Sequence, residues 1–418
     1  MLEQLRSDAQ AIIDYAIAAV KPDAAVQRAL KSLEPGKGRV LLVAAGKAAW
    51  QMAKAAMEVL PQVDGGVVIT KYGHVPGPIP GLLCCEGGHP VPDAGSFAGT
   101  RTALELVSGL NPEDTVIFLL SGGGSALFED PLVSPEELQD ITRQLLESGA
   151  DIVQINTIRK RLSAVKGGRF AQRCAPASVF SIVLSDILGD PLDMIASGPA
   201  CPDSSTCAQA LAAAERYGLR LSAEARQLLQ AETPKKLDNV TTQITGSVGE
   251  LCAAAAKKCE ELGYAPMILT DRLCCEAKHA GSFLASIAAT HRSPEKPLAF
   301  LAGGETVVRV TGTGKGGRNQ ELALAAAPGI AGLNAAVFSV GSDGTDGPTD
   351  AAGGYADGQT QEALAALGLA VHSVLENNDA YHALEQVKGL IFTGPTGTNV
   401  NDVAVLLLRP EENEMQIS

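Results

Sequence analysis

The stretch 40-VLLVAAGKAAWQMAKAA-56 leads from an apolar run through a single glycine directly into a helical segment. Near-continuous apolar runs predict strands that are buried on both faces, as in parallel sheets covered by helices. Such runs alternate with helical segments along the chain, at residues 39–46, 65–71, 115–122, 178–186, 265–270, 297–304, 335–343 and 403–408. The alternation predicts two tandem α/β domains with parallel or mostly parallel sheets.

A polar, proline-bearing segment, 231-AETPKKLDNVTTQ-243, follows a predicted helix and is the best candidate for a domain boundary. A chain of 418 residues is long enough for more than one hydrophobic core. We therefore expect one domain at residues 1–238 and a second at residues 239–418.

The charge balance narrows the classes of partner. The formal net charge is −14 and the pI is about 5.0, which argues against nucleic acid or an anionic membrane as a partner. No apolar run is long enough for a transmembrane helix, and the first 20 residues predict an amphipathic surface helix, not a signal peptide. The nine cysteines lack zinc-site spacing. These features predict a cytoplasmic protein with reduced thiols.

Polar residues follow nearly every predicted strand. In open α/β sheets, ligands bind beyond the carboxyl ends of the strands. Glycine alone could serve turn geometry there, but repeated Lys, Asp and Glu favour a site for a polar ligand. The residues concerned are Gly46 and Lys47, 71–74, 121–125, Ser185 and Asp186, 303–305, and 341–343.

Two of these strand ends suggest an anion site. In 121-SGGGS-125, residues Ser121, Gly122, Gly123, Gly124 and Ser125 would let backbone N–H groups approach an anion, although a flexible turn is the alternative. The Walker A pattern GxxxxGK[ST] is absent from the chain. Lys47 opens a helix, where a cation is unfavourable without a nearby anion; an exposed turn lysine is the alternative.

The segment 151-DIVQINTIRKRLSAVKGGRF-170 predicts a helix. Asn156, Arg159, Ser163 and Lys166 would share one half-buried polar face that could bind an anion, although a basic surface helix is the alternative. Lys160 and Arg161 point elsewhere on this helix and are expected to be solvated.

Three acids, Asp186, Asp190 and Asp193, lie in one predicted loop. Grouped carboxylates suit Mg²⁺, which binds one or two of them together with phosphate oxygens, but helix capping explains such acids equally well. The later stretches 341-GSDGTDGPTDAAGG-354 and 393-TGPTGTNVND-402 could position a metal or a substrate hydroxyl, or could be simple turns.

The stretch 300-FLAGGETVVRVTGTGKGGRNQELALAAA-327 contains a formal GxGxxG pattern. A dinucleotide fingerprint follows a buried apolar strand, whereas 306-TVVRV-310 alternates like a hairpin strand, so we reject that interpretation. A glycine loop with Lys315 and Arg318 remains, placed just before a helix. Backbone donors, two cations and a helix N-terminus together predict a polyanion site.

These motifs, in this order, resemble the class II glycerate kinases, glycerate 2-kinases whose C-terminal half is called the MOFRL domain. The resemblance spans residues 40–405, and members of the family are often provisionally named hydroxypyruvate reductases. The stretches that carry it are AAGKAAWQMA, GGHPVPDAGS, LLSGGGSALFEDP, INTIRKRLSAVKGGR, LSDILGDPLDMIASGPACPD, GGETVVRVTGTGKGGRNQELALAAA, SDGTDGPTDAAGG and FTGPTGTNVND.

The resemblance implies ATP-dependent phosphorylation of D-glycerate at its 2-hydroxyl, with Mg²⁺. It also implies a Rossmann-like N-terminal parallel sheet with helices on both faces and a smaller, mixed α/β MOFRL domain, with the site in a cleft between them. The family's catalytic lysine and arginine correspond to Lys47 in AAGKAA and Arg318 in GKGGRNQE.

From the residues and the resemblance together, we assign roles to the remaining candidates. The 121–125 loop would bind the phosphates of ATP, together with Gly314, Lys315, Gly316, Gly317 and Asn319. Arg159 or Lys166 would hold the glycerate carboxylate, Asp186 or Asp190 the metal, and Glu305 and Asp343 are candidates for the base. A homo-oligomer is compatible with the sequence. The alternatives are a nicotinamide-dependent hydroxypyruvate reductase and a non-catalytic sensor of sugar acids or nucleotides.

Overall fold

Two compact units make up the chain. The computed structural model describes residues 2–185 and 191–410. One unit comprises residues 22–185 and 191–245, and the other comprises residues 2–21 and 246–410. Each unit contains a six-stranded sheet. In these residues, no helix is both long and apolar enough to cross a membrane.

The first unit contains a fully parallel sheet in the order β3-β2-β1-β4-β5-β6, which is the Rossmann order. Successive strands are added on one side of β1 up to β3 and on its other side from β4 onward, so the strand order reverses between β1 and β4. These two strands pair in parallel, from Val40 with Thr115 to Ala45 with Leu120. With elements numbered along the chain, the strands are β1 Val40–Ala45, β2 Gly65–Lys71, β3 Leu82–Gly87, β4 Thr115–Leu120, β5 Ser178–Val183 and β6 Val240–Ile244.

Helices cover both faces of this sheet because its central strands are apolar on both sides. On one face, α2 and α3 bury Val26 and Met52 against Ile117 and Ile182. On the other face, the Phe118 ring packs against the rings of Phe128 and Phe170, with centroid distances of 5.5 and 4.7 Å. The helices are α2 Pro22–Leu30, α3 Ala49–Val59, α4 Ala94–Leu106, α5 Gly124–Leu127, α6 Pro135–Glu147, α7 Ile152–Arg159, α8 Arg169–Cys174, α9 Cys207–Arg216 and α10 Ala223–Leu229.

The second unit is built on a mixed sheet in the order β11-β10-β9-β12-β8-β7. Only β7 and β8 pair in parallel; the other recorded pairs are antiparallel. The strands are β7 Ala265–Leu273, β8 Leu298–Gly304, β9 Ala335–Gly341, β10 Gly353–Asp357, β11 Leu390–Ile391 and β12 Asp402–Leu408. The helices are α1 Leu2–Ala19, α11 Val248–Glu261, α12 Ala277–Thr290, α13 Arg318–Ile330, α14 Thr360–Ala366, α15 Val371–Glu376 and α16 Ala380–Gln386. The predicted two-domain α/β architecture is confirmed.

The boundaries of the units differ from those expected from the sequence. Strand β6 follows the expected boundary at residue 238, yet it pairs with β5 and completes the first sheet. Helix α1 begins the chain but packs its apolar face in the core of the second unit, where Asp8 accepts hydrogen bonds from Tyr264 and Arg409. Composition marks a polar linker, whereas long-range pairing decides which unit a segment joins.

The predicted hairpin strand over residues 306–310 is wrong. Only Val307 forms a bridge, to Glu276, and the segment is otherwise irregular. Strand β8 has β7 on one side and β12 on the other, so it has no free edge for a hairpin partner. The short or polar strands β3, β6, β10 and β11 were not predicted.

The predicted helix over residues 151–170 ends at Arg159. Beyond it, Ser163 forms a bridge with Pro131, and Gly167 and Gly168 adopt positive φ. The expectation that Lys160 and Arg161 are solvated is therefore wrong, since both side chains are buried.

The buried Asp203, with the more exposed Asp193 and Glu232, compensates the charge of these two cations. Lys160 Nζ lies 3.0 Å from Asp203 and 3.3 Å from Asp193, while Arg161 lies 3.6 Å from Asp203 and 3.3 Å from Glu232. Burial disfavours the charged form of Asp203, but hydrogen bonds from Thr233, the Ser205 backbone and Lys160 outweigh it and lower its pKa to about 2. This network holds the segment that follows β5 against α7.

Replacing Asp203 with Asn should lower the free energy of unfolding at neutral pH by about 3 kcal/mol, because the buried cations lose their shared partner. The folded pKa lies below the ordinary value, so wild-type stability from this group is present above about pH 4 and is lost toward pH 2. Urea unfolding at several pH values should show the gap between wild type and variant narrowing over that window.

The exposed Asp238, paired with Lys236, provides the control. Its replacement by Asn should change stability by less than about 0.5 kcal/mol. A gap for the Asp203 variant that stays constant from pH 7 to pH 2 would contradict the role given to its charge.

Candidate functional site

The loops that follow β1 and β4 lie at the point where the strand order of the first sheet reverses. In open α/β sheets this is the usual ligand site, because helices leave the two strands in opposite directions and open a crevice. The β1 loop carries Gly46 and Lys47, and the β4 loop carries residues 121–125. The fold thus brings two sequence-predicted stretches to one place.

Hydrogen bonds join the two loops. The N–H of Lys47 donates to the carbonyl of Gly122 at 2.8 Å, and the N–H of Ala48 donates to Ser121 Oγ at 3.1 Å. A Cβ on Gly46 would lie 2.2 Å from Ser121 Oγ, and its φ of +124° also favours glycine. Glycine at position 46 therefore permits the close approach of the loops.

The β4 loop retains free donors. No hydrogen bond to the described residues is recorded for the N–H groups of Gly122, Gly123 or Ser125, all half-buried. Gly124 N–H instead donates to the carbonyl of Ser121. Lys47 Nζ is exposed and has no ion-pair or hydrogen-bond partner within residues 2–185 and 191–410. Unpaired amides beside an unpaired ammonium suit an anion.

The sequence interpretation missed His89 at this site. A Cβ on Gly123 would lie 3.0 Å from Lys47 Cγ and 3.2 Å from His89 Nε2, so both side chains border the β4 loop. Burial, with Lys47 and Lys71 adding to it, lowers the pKa of His89. A neutral imidazole can donate a hydrogen bond to an anion from one ring nitrogen. His89 lies in the motif GGHPVPDAGS, which contributes to the family resemblance, but the sequence alone gives this histidine no role.

Arg159 and Lys166 both contact a residue that was not predicted, Glu129. Lys166 Nζ lies 2.7 Å from Glu129 Oε2 and donates to the carbonyl of Phe128 at 3.1 Å. Arg159 Nη2 lies 3.6 Å from Glu129 and donates to the carbonyl of Ser125 at 3.0 Å. Lys166 is fully buried, whereas the Arg159 side chain is 13% exposed. Arg159 is therefore the one of the two that is open to a ligand.

In the second unit, the polar residues gather at one edge of the sheet. The carboxyl ends of β8 and β9 meet the amino end of the antiparallel β12 there, with Asp402 opposite both Gly304 and Gly341. Arg318 donates to both oxygens of Asp402, at 2.6 and 2.9 Å, and to Glu305 at 2.9 Å. Burial lowers the pKa of Arg318, but the bond to Asp402 outweighs it and the net shift is upward.

Asp346 holds the helix that begins with Arg318. It accepts hydrogen bonds from the N–H groups of Asn319 and Gln320 at 3.1 and 2.9 Å, so it caps α13. Burial raises the pKa of Asp346 to about 6. A Cβ on Gly317 would lie 2.2 Å from its carboxyl carbon, which explains glycine at that position.

The predicted phosphate-binding glycine loop is only partly available. The N–H groups of Gly314 and Lys315 already donate to Asn377 O and Asp379 Oδ1, each at 2.9 Å. Those of Gly316, Gly317 and Arg318 have no recorded partner among the described residues.

The side chains of the other two loop candidates are also engaged. Lys315 Nζ lies over the Tyr381 ring, 4.2 Å from its centroid. Asn319 is buried and bonds Asp346 and Ser339. The structure thus gives Asn319 a place in the core.

The predicted base candidates both lie at the edge of the second sheet. Glu305 accepts from Arg318 through Oε1 and from Asn401 through Oε2, at 2.9 and 3.2 Å. Among the described residues, the Asp343 carboxylate accepts hydrogen bonds from the N–H and Oγ1 of Thr345, both through Oδ1. The predicted metal ligands Asp186 and Asp190 lie outside the described residues. Within those residues, no group of three or more His, Cys, Asp or Glu could hold a metal ion.

The two units define a two-domain α/β protein with cations and backbone N–H groups at the strand ends, and comparisons with known proteins identify its family. Residues 8–230 match the domain of unknown function DUF4147, and residues 298–402 match the MOFRL family. The D-glycerate 2-kinase of Thermotoga maritima is 53% identical over 97% of this chain and 99% of its own length. An Agrobacterium vitis protein, provisionally named a hydroxypyruvate reductase, is 37% identical over 95% of this chain and 93% of its own.

A solved structure agrees with these relatives. The crystal structure of a glycerate kinase from Thermotoga maritima is 52% identical and superimposes with a TM-score of 0.92, covering 97% of this chain and all of that one. The chain therefore belongs to the glycerate 2-kinase family that carries a MOFRL domain.

Replacing Gly317 with Ala should destabilise the second unit by about 1–3 kcal/mol, because the new methyl group would displace the capping carboxylate of Asp346. The measurement is the midpoint of thermal unfolding. Gly316→Ala is the matched control: its Cβ would lie 3.3 Å from Ala380 Cβ, a contact that a small shift relieves. Equal midpoints for the two variants would contradict the close approach of Gly317 and Asp346.

Proposed function

We propose that the protein is a glycerate 2-kinase that transfers a phosphoryl group from ATP to the 2-hydroxyl of D-glycerate. The observation that carries the proposal is that the Lys47 ammonium and several N–H groups of the 121–125 loop lie side by side with no partner among the described residues. Phosphoryl transfer needs positioned positive charge and donors more than covalent chemistry, and this loop pair supplies both. The 53% identity to a D-glycerate 2-kinase supports the choice of substrate and of the 2-position.

Lys47 would neutralise phosphate charge from the β1 loop. Its N–H is fixed by Gly122, so the backbone is held while the flexible side chain stays available. No described acid competes for the ammonium. The N–H groups of Gly122, Gly123 and Ser125 would bind phosphate oxygens, and a neutral His89 would add a donor beside them.

Arg318 would stabilise the transferring phosphoryl group from the edge of the second sheet. Its guanidinium has five N–H donors, and three of them bind Asp402 and Glu305. Its other two N–H donors have no partner among the described residues and would be open to a ligand, in a plane fixed by the two acids. The free N–H groups at positions 316–318 lie at the start of the same helix and would bind phosphate oxygens.

A divalent ion such as Mg²⁺ would neutralise phosphate charge when bound with ATP. Asp186 or Asp190 stays our prediction for its ligand. Asp343 is the better candidate to accept the proton of the 2-hydroxyl, because Oδ2 has no recorded partner in the described part of the chain. Glu305 uses both of its oxygens to hold Arg318 and Asn401.

The first experiment is incubation of the purified protein with ATP, Mg²⁺ and D-glycerate, coupled to enolase without phosphoglycerate mutase. Enolase accepts 2-phosphoglycerate directly, so a signal reports both transfer and position. A signal that needs mutase would overturn the 2-position. NADH oxidation with hydroxypyruvate and no ADP would support the reductase name, and ligand-induced thermal stabilisation without turnover would support a sensor.

Lys47→Ala and Arg318→Ala should each lower kcat by about a thousandfold, because each removes a charge that stabilises the transferring group. The exposed residues Lys54 and Arg309 supply matched controls, whose Ala variants should keep kcat within about twofold. Arg318→Lys retains the charge but not the planar bidentate contact with Asp402, so it should lose most of the rate while leaving the fold intact. Near-normal turnover of both Ala variants would refute the assignment of Lys47 and Arg318 to phosphoryl transfer.

A further inference from the structure

A buried cluster of three charged residues lies directly behind the 121–125 loop. We call Glu129, Arg159 and Lys166 the Glu129 cluster. Glu129 and Lys166 are fully buried, and Lys166 Nζ lies 2.7 Å from Glu129 Oε2. Arg159 lies 3.6 Å from the same oxygen and bonds the loop itself through the carbonyl of Ser125. Arg159 and Lys166 are the sequence candidates for holding the glycerate carboxylate, whereas Glu129 has no role in the proposed phosphoryl transfer.

The cluster carries one surplus positive charge. It holds two cations and one carboxylate, and no other described acid lies within 4.0 Å of either cation. Burial lowers the pKa of Lys166, and its contact with the Glu129 carboxylate opposes that shift and favours the charged form. A charge taken out of water without a partner is costly, so the surplus indicates that an anion completes the cluster.

The surplus charge falls on Arg159. Lys166 directs its ammonium at Glu129 and the carbonyl of Phe128, and none of its side chain is exposed. Arg159 is 13% exposed, and no described residue accepts from its Nε or Nη1 groups. Because Lys166 balances Glu129, the carboxylate orients Arg159 without cancelling its charge.

We propose that Glu129 is a positioning residue that, paired with Lys166, holds Arg159 so that its guanidinium recognises the carboxylate of the hydroxy-acid substrate. This rests on the proposed function for the identity of the substrate. A guanidinium offers two parallel N–H donors to a carboxylate, which sets orientation as well as affinity. Contact with Ser125 O would place that recognition next to the phosphate-binding loop, where the acceptor hydroxyl must lie.

The test is the dissociation constant for D-glycerate, measured by isothermal titration calorimetry on the full chain, with its neutral amide, glyceramide, as the comparison ligand. Wild type should bind glycerate more tightly than glyceramide. Arg159→Ala should weaken glycerate binding by about tenfold or more while leaving glyceramide binding within about twofold, since only the charged ligand loses its partner.

Glu129→Gln keeps the shape of the side chain but removes its charge. It should also weaken glycerate binding about tenfold in the wild-type background, and by less than about twofold when Arg159 is already Ala. That non-additivity is expected only if Glu129 acts through Arg159. Asp130→Asn is the matched control, because Asp130 is adjacent to Glu129 in sequence but pairs with the exposed Arg101. The dissociation constant of this variant for D-glycerate should equal that of wild type.

Glu129→Gln leaves Lys166 unpaired and could unfold the chain. The double variant Glu129→Gln/Lys166→Met removes both buried charges together, and it should fold while still binding glycerate about tenfold more weakly. Equal loss of glycerate and glyceramide binding, or additive effects with Arg159→Ala, would overturn the inference. Failure of wild type to bind D-glycerate would overturn it as well.

The binding readout also separates this inference from the proposed function. Glycerate binding that depends on the Glu129 cluster, without any turnover of ATP, would support the inference while refuting the kinase assignment. Turnover of ATP by wild type, with glycerate affinity unchanged in both single variants, would support the kinase assignment and refute the inference about the Glu129 cluster.

Discussion

The pairing of β1 with β4 is the constraint on which the candidate site of the first unit depends. These strands run in parallel through the centre of the sheet, and their order reverses between them. Helices leave in opposite directions from such a pair, so the two following loops meet over an open crevice. The hydrogen bond from Lys47 N–H to the carbonyl of Gly122 joins the two loops, while the Lys47 side chain and the N–H groups of Gly122, Gly123 and Ser125 have no partner among residues 2–185 and 191–410.

The second unit also has a cation and backbone N–H groups at one edge of its sheet, but the sheet is built differently. Its sheet is mostly antiparallel, so the polar edge combines the ends of β8 and β9 with the beginning of β12. Asp402 and Glu305 hold Arg318 from two strands, and Asp346 caps the helix that starts with it. Both edges therefore present a cation together with free N–H groups. In the first edge Lys47 has no partner in the part of the chain that the structure describes, and in the second Arg318 is fixed by acids.

Two groups of buried charged residues in the first unit hold polar segments in position. Asp203 binds Lys160 and Arg161 behind the segment after β5, and Glu129 binds Lys166 and Arg159 behind the segment after β4. Pairs of this kind add little net stability, because desolvation offsets attraction, but breaking one is costly. Their value lies in geometry, because each fixes the position of a segment that follows a strand.

Much of this protein could be predicted from the sequence alone. Apolar runs predicted eight of the strands, and the SGGGS and GKGGRN stretches predicted donor-rich loops, because burial and backbone chemistry are local properties. Only the tertiary structure decided that α1 joins the second unit, that β12 lies between β9 and β8, and that Lys160, Arg161 and Lys166 are buried. Those outcomes depend on partners far away in sequence, such as Asp203 and Glu129, whose pairing with a given cation has no local signature.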